Sequence, residues 1–267
     1  MNYRGIAAAL LFLLLAASAA AQESNGGGDV QGATSADPDP AGARSPWDPW
    51  ERFNRKIFSF NETVDHYALE PVATGWDFVM PHRVETCISN FFENLLLPVR
   101  FTNDLLQLKP WKAYETLWRA VINTTVGIGG LFDPASAWDV YKSDEDFGQT
   151  LGYWGTPPGP YLVLPLLGPS DPRDAAGLAV DSIPYGYIPP FSWIPWYAQL
   201  SGTAVNVVNR RALALVTIRE ERKAAFDWYS AVRSAYTQNR ENRVHDQAAA
   251  PAKTGATPDE DLYDVDE

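Results

Sequence analysis

Residues Asp146 to Gly177, DFGQTLGYWGTPPGPYLVLPLLGPSDPRDAAG, constrain this chain more than any other stretch. Prolines at 157, 158, 160, 165, 169 and 172 each remove a backbone donor and fix φ, while Gly152, Gly155 and Gly159 open the left-handed region. A long helix cannot run through such a segment, and the apolar run Tyr161 to Leu167 is wrong for an ordinary polar loop. The path must be bent and defined. It either lines something or is an irregular connection through a core.

Around this stretch the pattern is helical. Trp50, Phe53, Ile57, Phe60, Val64 and Tyr67 recur in steps of three and four, which predicts an amphipathic helix opened by Asp48 as N-cap and Pro49 at its first position. A second helix is expected after Pro81, with Val84, Cys87, Ile88, Phe91, Phe92 and Leu95 on one side, ending before Pro98. Val99 to Leu108 reads as a shorter helical piece. Pro110 opens another, striped by Trp111, Tyr114, Leu117, Trp118, Val121 and Ile122, and stopped by Gly127 to Gly130. Asp171-Pro172-Arg173-Asp174 is a cap, proline and acid signature for a short helix to Val180, and helical periodicity returns from Thr203 to about Asn242. In that last part Arg210, Arg211, Arg219 and Arg222 are expected on a solvated face.

No β-alternation persists, so the fold class is all-α, several amphipathic helices joined by Gly/Pro-rich connectors. Residues 184 to 197, PYGYIPPFSWIPWY, combine prolines and aromatics without charge, which suits either a membrane interface or a hydrophobic core loop.

The ends read differently from the body. Residues 1–21 carry an early positive charge at Arg4, an apolar run from Ile6 and the small-residue end Ala19-Ala20-Ala21, the pattern of a cleaved export signal. Residues 22–45 are a Gly-, Ser-, Asp- and Pro-rich tether, residues 46–242 the all-α body, and residues 243–267 an acidic tail expected to be disordered. Much of the formal charge of −12 belongs to that tail, in Asp259, Glu260, Asp261, Asp264, Asp266 and Glu267. Nothing here attracts polyphosphate, so nucleic acid is not an expected partner.

Catalytic chemistry is poorly provided for. His66, His82 and His245 are scattered, no G-x-S-x-G elbow or phosphate-cradling loop occurs, and no Cys/His spacing suits a metal. The single cysteine, Cys87, sits in an apolar stripe and reads as a packed thiol, and it rules out an intramolecular disulfide. Asp144 and Asp146 could in principle share acid-base work, but adjacent surface acids are common. No enzyme activity, cofactor or metal is expected. What the chain does supply is aromatic stripes and a bent apolar segment, surfaces able to hold acyl chains at about 0.8 kcal/mol per CH₂.

Four blocks, DPWERFNRKIFSFNETVD from Asp48, SNFFENLLLPVRFTNDLLQ from Ser89, NTTVGIGGLFDPAS from Asn123 and EDFGQTLGYWGTPPGPYLVLPLLGPSDPRDAAG from Glu145, resemble the MlaA (VacJ-type) outer-membrane lipoproteins. The resemblance spans most of the body. It implies an all-α ring in the inner leaflet of the outer membrane beside a trimeric porin, whose central amphipathic channel takes mislocalised phospholipid from the outer leaflet. A soluble periplasmic carrier receives that lipid for an inner-membrane ABC transporter, which maintains lipid asymmetry. The family's flexible hairpin maps onto Gly152 to Pro160, where Pro157 and Pro158 should stiffen it. One departure stands out: Ala19-Ala20-Ala21-Gln22 occupies the place where a lipidated cysteine would be expected.

On this reading Gly152, Gly155, Pro157, Gly159, Pro160, Leu162 and Leu164 shape the lipid pathway, and Trp50, Phe53, Phe60, Phe91, Phe92, Trp193 and Trp196 face the membrane. The expected location is the periplasmic side of the outer membrane, after export. The alternative is an envelope adaptor that binds a porin and moves no lipid.

Overall fold

The computed structural model describes residues 47–187 and 191–246. The expected export signal, the tether, most of the acidic tail and residues 188–190 of the aromatic segment lie outside them.

Helix α1 (Glu51–Val64) does not stop near Tyr67. It passes through a π-helical turn, Asp65–Leu69, into α2 (Glu70–Val79), a helix the periodicity missed. Pro71 explains the turn: Glu70 N–H bonds Asp65 O, one residue farther back than in an α-helix, just before a residue with no N–H to give. Asp48 is not the cap either. Trp50 stands at the N-cap without a side-chain bond, and the Asp48 carboxylate instead accepts from Asn54 Nδ2 (2.8 Å), Arg233 Nη1 (3.2 Å) and the Tyr229 hydroxyl.

Helix α3 (His82–Leu106) runs unbroken through Pro98, where a stop was expected. Glu93 and Arg100, seven residues apart on one face, clamp the helix across the proline at 2.7 Å. Beyond it Asn103 donates to Asp181 (3.0 Å), Gln107 donates to Glu145 (2.8 Å), and Asp104 accepts from Thr116 and Ser143 (both 2.7 Å). Long-range bonds thus offset what the missing donor costs locally. Helix α4 (Pro110–Thr125) packs against α3 and ends in a turn with Gly129 and Gly130 at positive φ. Asp133 caps the single turn α5 (Pro134–Ala137).

Asp146 caps α6 (Phe147–Tyr153) by accepting from Gln149 N. The proline-rich bend follows, then a small antiparallel hairpin, β1 (Leu162–Leu164) and β2 (Gly168–Ser170), paired Leu162 to Ser170. These strands are too short for alternation to show. Two asparagines on α1 complete β1: Asn54 donates to Tyr161 O and accepts from Val163 N, and Asn61 does the same with Leu164 O and Leu166 N. Asp171 caps α7 (Pro172–Asp181) as expected, accepting from Asp174 N. Then come α8 (Ile183–Tyr187), a 3₁₀ turn (Phe191–Trp193), α9 (Trp196–Leu213), α10 (Leu215–Ala224) and α11 (Trp228–Val244), the last running just into the stretch expected to be disordered.

The interior is polar. Among the described residues the largest fully buried side chains include Gln107, Glu85, Asn54, Asn103, Asn206 and Asn209, and Val163 is the one apolar member of that set. Of the arginines expected in solvent, Arg210 and Arg211 are part of it, Arg222 is half-buried, and Arg219 is exposed as expected. Arg210 is 4% exposed and Arg211 7%, paired with Glu93 and with Asp65 (2.7 Å), while Arg219 and Arg222 reach Glu70 and Asp65. The helix faces are amphipathic as read, but for α9 the charged face points inward. Apolar clusters are small: Ala73, Ala212 and Leu215, and Tyr161, Val163 and Tyr229.

The bend rests on one ion cluster. Helices α6 and α7 cross so closely that a Cβ on Gly177 would stand 2.3 Å from Gly148 N. Above that crossing Arg240 donates to both Asp146 oxygens (2.6 Å each) and to Asp174 (2.8 Å), while Asp181 accepts from Phe147 N (2.8 Å). Replacing Arg240 by Ala strands two carboxylates, and we expect a loss of roughly 3–5 kcal/mol in unfolding experiments in detergent.

Burial, with Asp146 adding to it, pushes the Asp181 carboxyl up to about 7, and burial with Asp174 pushes Asp171 up to about 6. Both hold a proton when folded that an unfolded chain releases near pH ~4, so their contribution to stability fades as pH rises through 6 and 7. The protein should melt at a higher temperature at about pH 5.5 than at about pH 8, and Asp181→Asn should flatten that slope. An unchanged slope in the variant would remove Asp181 from this account.

Candidate lipid-handling surface and hairpin

With polar groups turned inward, the apolar stripes of the helices are left outside. On α1 Trp50, Phe53 and Phe60 are exposed, Phe53 to 55%, while Asn54 and Asn61 hold the hairpin. Phe91 is exposed on α3, with its ring edge-on to Phe92 at 5.4 Å between centroids. Phe92 itself is half-buried, its ring lying over Gly202 of α9. Trp193, 77% exposed, and Trp196 project from the 3₁₀ turn and the start of α9. Six of the seven expected aromatics therefore reach the surface, and Phe92 mainly packs α3 against α9.

Other exposed apolar groups were not singled out beforehand. Val72, Phe78 and Val79 extend the surface along α2, and Trp111, Tyr114, Leu117 and Trp118 along α4, where Trp111 stacks on Tyr114 at 5.4 Å. The α4 stripe was visible in the sequence. Its outward direction was not, because periodicity reports a face and not what the face meets. Leu108, Ile128 and Leu166 are exposed aliphatic side chains at loop positions with positive φ. Such backbone is costly for residues other than glycine, most of all for β-branched Ile128.

The expected pathway residues sit together at the bend. Gly152 lies inside α6, where a Cβ would come within 2.8 Å of Arg173 Nη1 and 2.9 Å of Val244 Cγ1. Gly155 and Gly159 take φ of 89° and 82°, in the left-handed region that glycine enters without strain, whereas Gly152 is helical. Pro157 is exposed between them and Pro160 is half-buried. The bend is pinned at both ends: Trp154 Nε1 donates to Leu106 O (3.2 Å), and Tyr161 N donates to Trp47 O (3.1 Å). Leu162 and Leu164 share the half-buried face of β1, opposite Val163, which is sealed among Tyr161, Tyr229, Ile57 and Phe58.

The residues weighed for catalysis do not converge. His66 lies 3.5 Å from Glu70 and His82 3.6 Å from Glu85, both exposed, while His245 ends α11. Asp144 pairs with Arg100 at 3.1 Å and Asp146 is taken up by Arg240. Cys87 is half-buried. Among the described residues no group of three His, Cys, Asp or Glu could hold a metal ion, and no helix is long and apolar enough to cross a membrane.

Comparison with known proteins bears on these features. The MlaA lipoprotein family model matches residues 46–243. The intermembrane phospholipid transport system lipoprotein MlaA of Haemophilus influenzae is 36% identical over 225 residues, covering 82% of this chain and 87% of that protein. Its Escherichia coli counterpart is 32% identical over 225 residues, 82% and 88% of the two chains. An uncharacterised Rickettsia typhi protein is 36% identical over 203 residues, 76% and 80%. A chain solved in work on the structural basis for maintenance of bacterial outer membrane lipid asymmetry superposes with a TM-score of 0.64 at 32% identity, covering 74% of this chain and 98% of that one. A helical body with its polar groups inside, a proline-rich bend pinned over an ion cluster and a family match across that whole body lead to one assignment: the chain belongs to the MlaA family.

Proposed function

We propose that this chain is an outer-membrane-associated component of intermembrane phospholipid transport. It removes mislocalised phospholipid from the outer leaflet and passes it to a soluble periplasmic carrier, which maintains lipid asymmetry. The observation that carries this reading is the inverted polarity of the fold: asparagine, glutamine and ion pairs inside, tryptophan, phenylalanine and leucine outside. Exposed apolar surface on this scale is disfavoured in water and stable against acyl chains. The relatives' description as intermembrane phospholipid transport lipoproteins supports it.

Among the described residues no helix is long and apolar enough to span a bilayer, so their contact is by helices lying in one leaflet. Residues 46–242 form the working domain, and a trimeric porin is the expected neighbour within the membrane. The exposed apolar belt itself provides a hold on the membrane. Within this scheme Gly152 to Pro160 frames the lipid route, and Leu162 and Leu164 line it.

The test is lipid exchange from vesicles to the periplasmic carrier, alongside vesicle co-sedimentation. Replacing Leu162 and Leu164 by Asp should reduce exchange at least about tenfold, since two charges then lie on the acyl path. Sedimentation with vesicles and the far-ultraviolet circular dichroism should stay near those of the parent protein. Unimpaired exchange in the folded variant would remove these leucines from the route. A parent protein that neither co-purifies with phospholipid nor exchanges it would replace the proposal by a porin-binding adaptor.

A further inference from the structure

A half-open cavity of about 30 Å³ lies between α3 and α4, beside the segment that follows α5. Apart from Leu97 its lining residues are polar, with Glu93, Asn94 and Arg100 on one side, Arg119 opposite and Lys142 among them. That volume admits about two waters, or the oxygens of a larger group entering from the open side.

Charge is unbalanced there. Glu93 accepts from Arg100 (2.7 Å), Lys142 (3.2 Å) and Arg210, three cations on one carboxylate. Asp144 answers Arg100 alone, at 3.1 Å. Arg119 is matched separately by Asp133, at 2.7 and 2.8 Å, so in these contacts four cations face three carboxylates. Burial pushes the Glu93 carboxyl up, but the three cations outweigh it and hold it well below the ordinary carboxylate range. The excess therefore persists across physiological pH. Lys142 has 44% of its side chain exposed, and it is the member of the trio with most access to an incoming group.

A second observation marks the site as incomplete. Asn94 lines the cavity, and its Oδ1 is buried with no hydrogen-bond donor, while its Nδ2 donates to Thr124 Oγ1 at 3.2 Å. Turning the amide over would let the Thr124 hydroxyl serve Oδ1 and give the buried position an N–H₂ donor, an arrangement that an anion rewards.

The surroundings favour an amphiphile over a free ion. Asn90, also in the lining, donates to Leu131 O (3.4 Å), which ties the turn carrying the exposed Leu131 and Phe132 to α3, where Phe91 is also exposed. We propose that this cavity seats the phosphodiester of a phospholipid head group, met by Lys142 and the buried guanidinium pair behind it, with the acyl tails leaving over Phe91, Leu131 and Phe132. The proposal rests on the lipid-handling reading above and adds a head-group site to it.

Isothermal titration in dodecyl maltoside can separate the two. The probes are dihexanoylphosphatidylglycerol, dihexanoylglycerol and inorganic phosphate, each titrated into the parent protein, Lys142→Ala and Lys142→Arg. The phosphatidylglycerol should bind Lys142→Ala about fivefold more weakly than the parent, the scale of one partly exposed charge pair, with Lys142→Arg close to the parent. Dihexanoylglycerol should bind more weakly and equally to all three. Phosphatidylglycerol binding untouched by Lys142→Ala, or equalled by dihexanoylglycerol, would overturn the head-group site and leave lipid handling standing. Inorganic phosphate matching the lipid in a Lys142-dependent way would make the occupant a free anion and overturn the assignment to lipid. Failure of both lipids to bind the parent protein would overturn both readings.

Discussion

Side-chain hydrogen bonds and ion pairs between distant segments do in this protein what an apolar core does in most. Asp48 meets Asn54, Tyr229 and Arg233; Asp146 and Asp174 share Arg240; Glu93 gathers Arg100, Arg210 and Lys142. Each junction joins helices far apart in sequence, α1 to α11, α6 and α7 to α11, α3 to α9. Such pairs gain little when exposed and lose much when one partner is removed from a buried site. They are also directional, so they fix how helices sit where interlocking leucines are few. A fold meant to present grease outward needs a cohesion that does not depend on hiding it.

That choice also explains the irregular elements. A π turn before Pro71 and a proline inside α3 would each weaken an isolated helix. Both are bridged by ion pairs. Asp65 and Glu70 at the π turn take Arg211, Arg219 and Arg222, and Glu93 with Arg100 spans Pro98. The two asparagines of α1 extend the principle to the hairpin, where side-chain amides stand in for a third strand along β1. A strand of three residues has few ladder bonds of its own, and these four bonds supply its other edge.

Local signals were legible in the sequence where the partner is local. Asp171 caps the helix it immediately precedes, Pro110 opens one, and Gly155 and Gly159 adopt the left-handed turns that only glycine takes cheaply. Asp48 carries the same cap and proline signature as Asp171, yet its partners are Tyr229 and Arg233, and nothing nearby announces them. Pro98 reads as a stop for the same reason, since its rescue comes from Asp181, Thr116 and Ser143. The arginines of α9 show the deeper difficulty. An amphipathic pattern is unchanged when inside and outside are exchanged, so Arg210 and Arg211 look solvated until the coordinates show which face points inward. Three positions, Leu108, Ile128 and Leu166, left no sequence trace, because their backbone strain becomes visible only with coordinates.

The bend at the centre of the chain combines these lessons. It departs from α6, whose N-terminus is held by Asp146 and Asp181 over the glycine crossing with α7. It is tied again at Trp154 and at Tyr161, and along Gly155 to Pro160 between them Gly155 N and Thr156 N donate back to Gly152 O and Leu151 O while Pro158 O accepts from Arg173 N. Three of those six residues are proline and two are glycines already committed to left-handed backbone. Loop entropy scales with the number of free dihedrals, and here few remain. A segment so tethered behaves as a stirrup of fixed outline, with its shape set by the ion cluster beneath it. Under the proposed function, selectivity along the route then falls to the half-buried Leu162 and Leu164 beside the stirrup and to the charged seat between α3 and α4. Both of these are carried on elements that the polar interior holds in place.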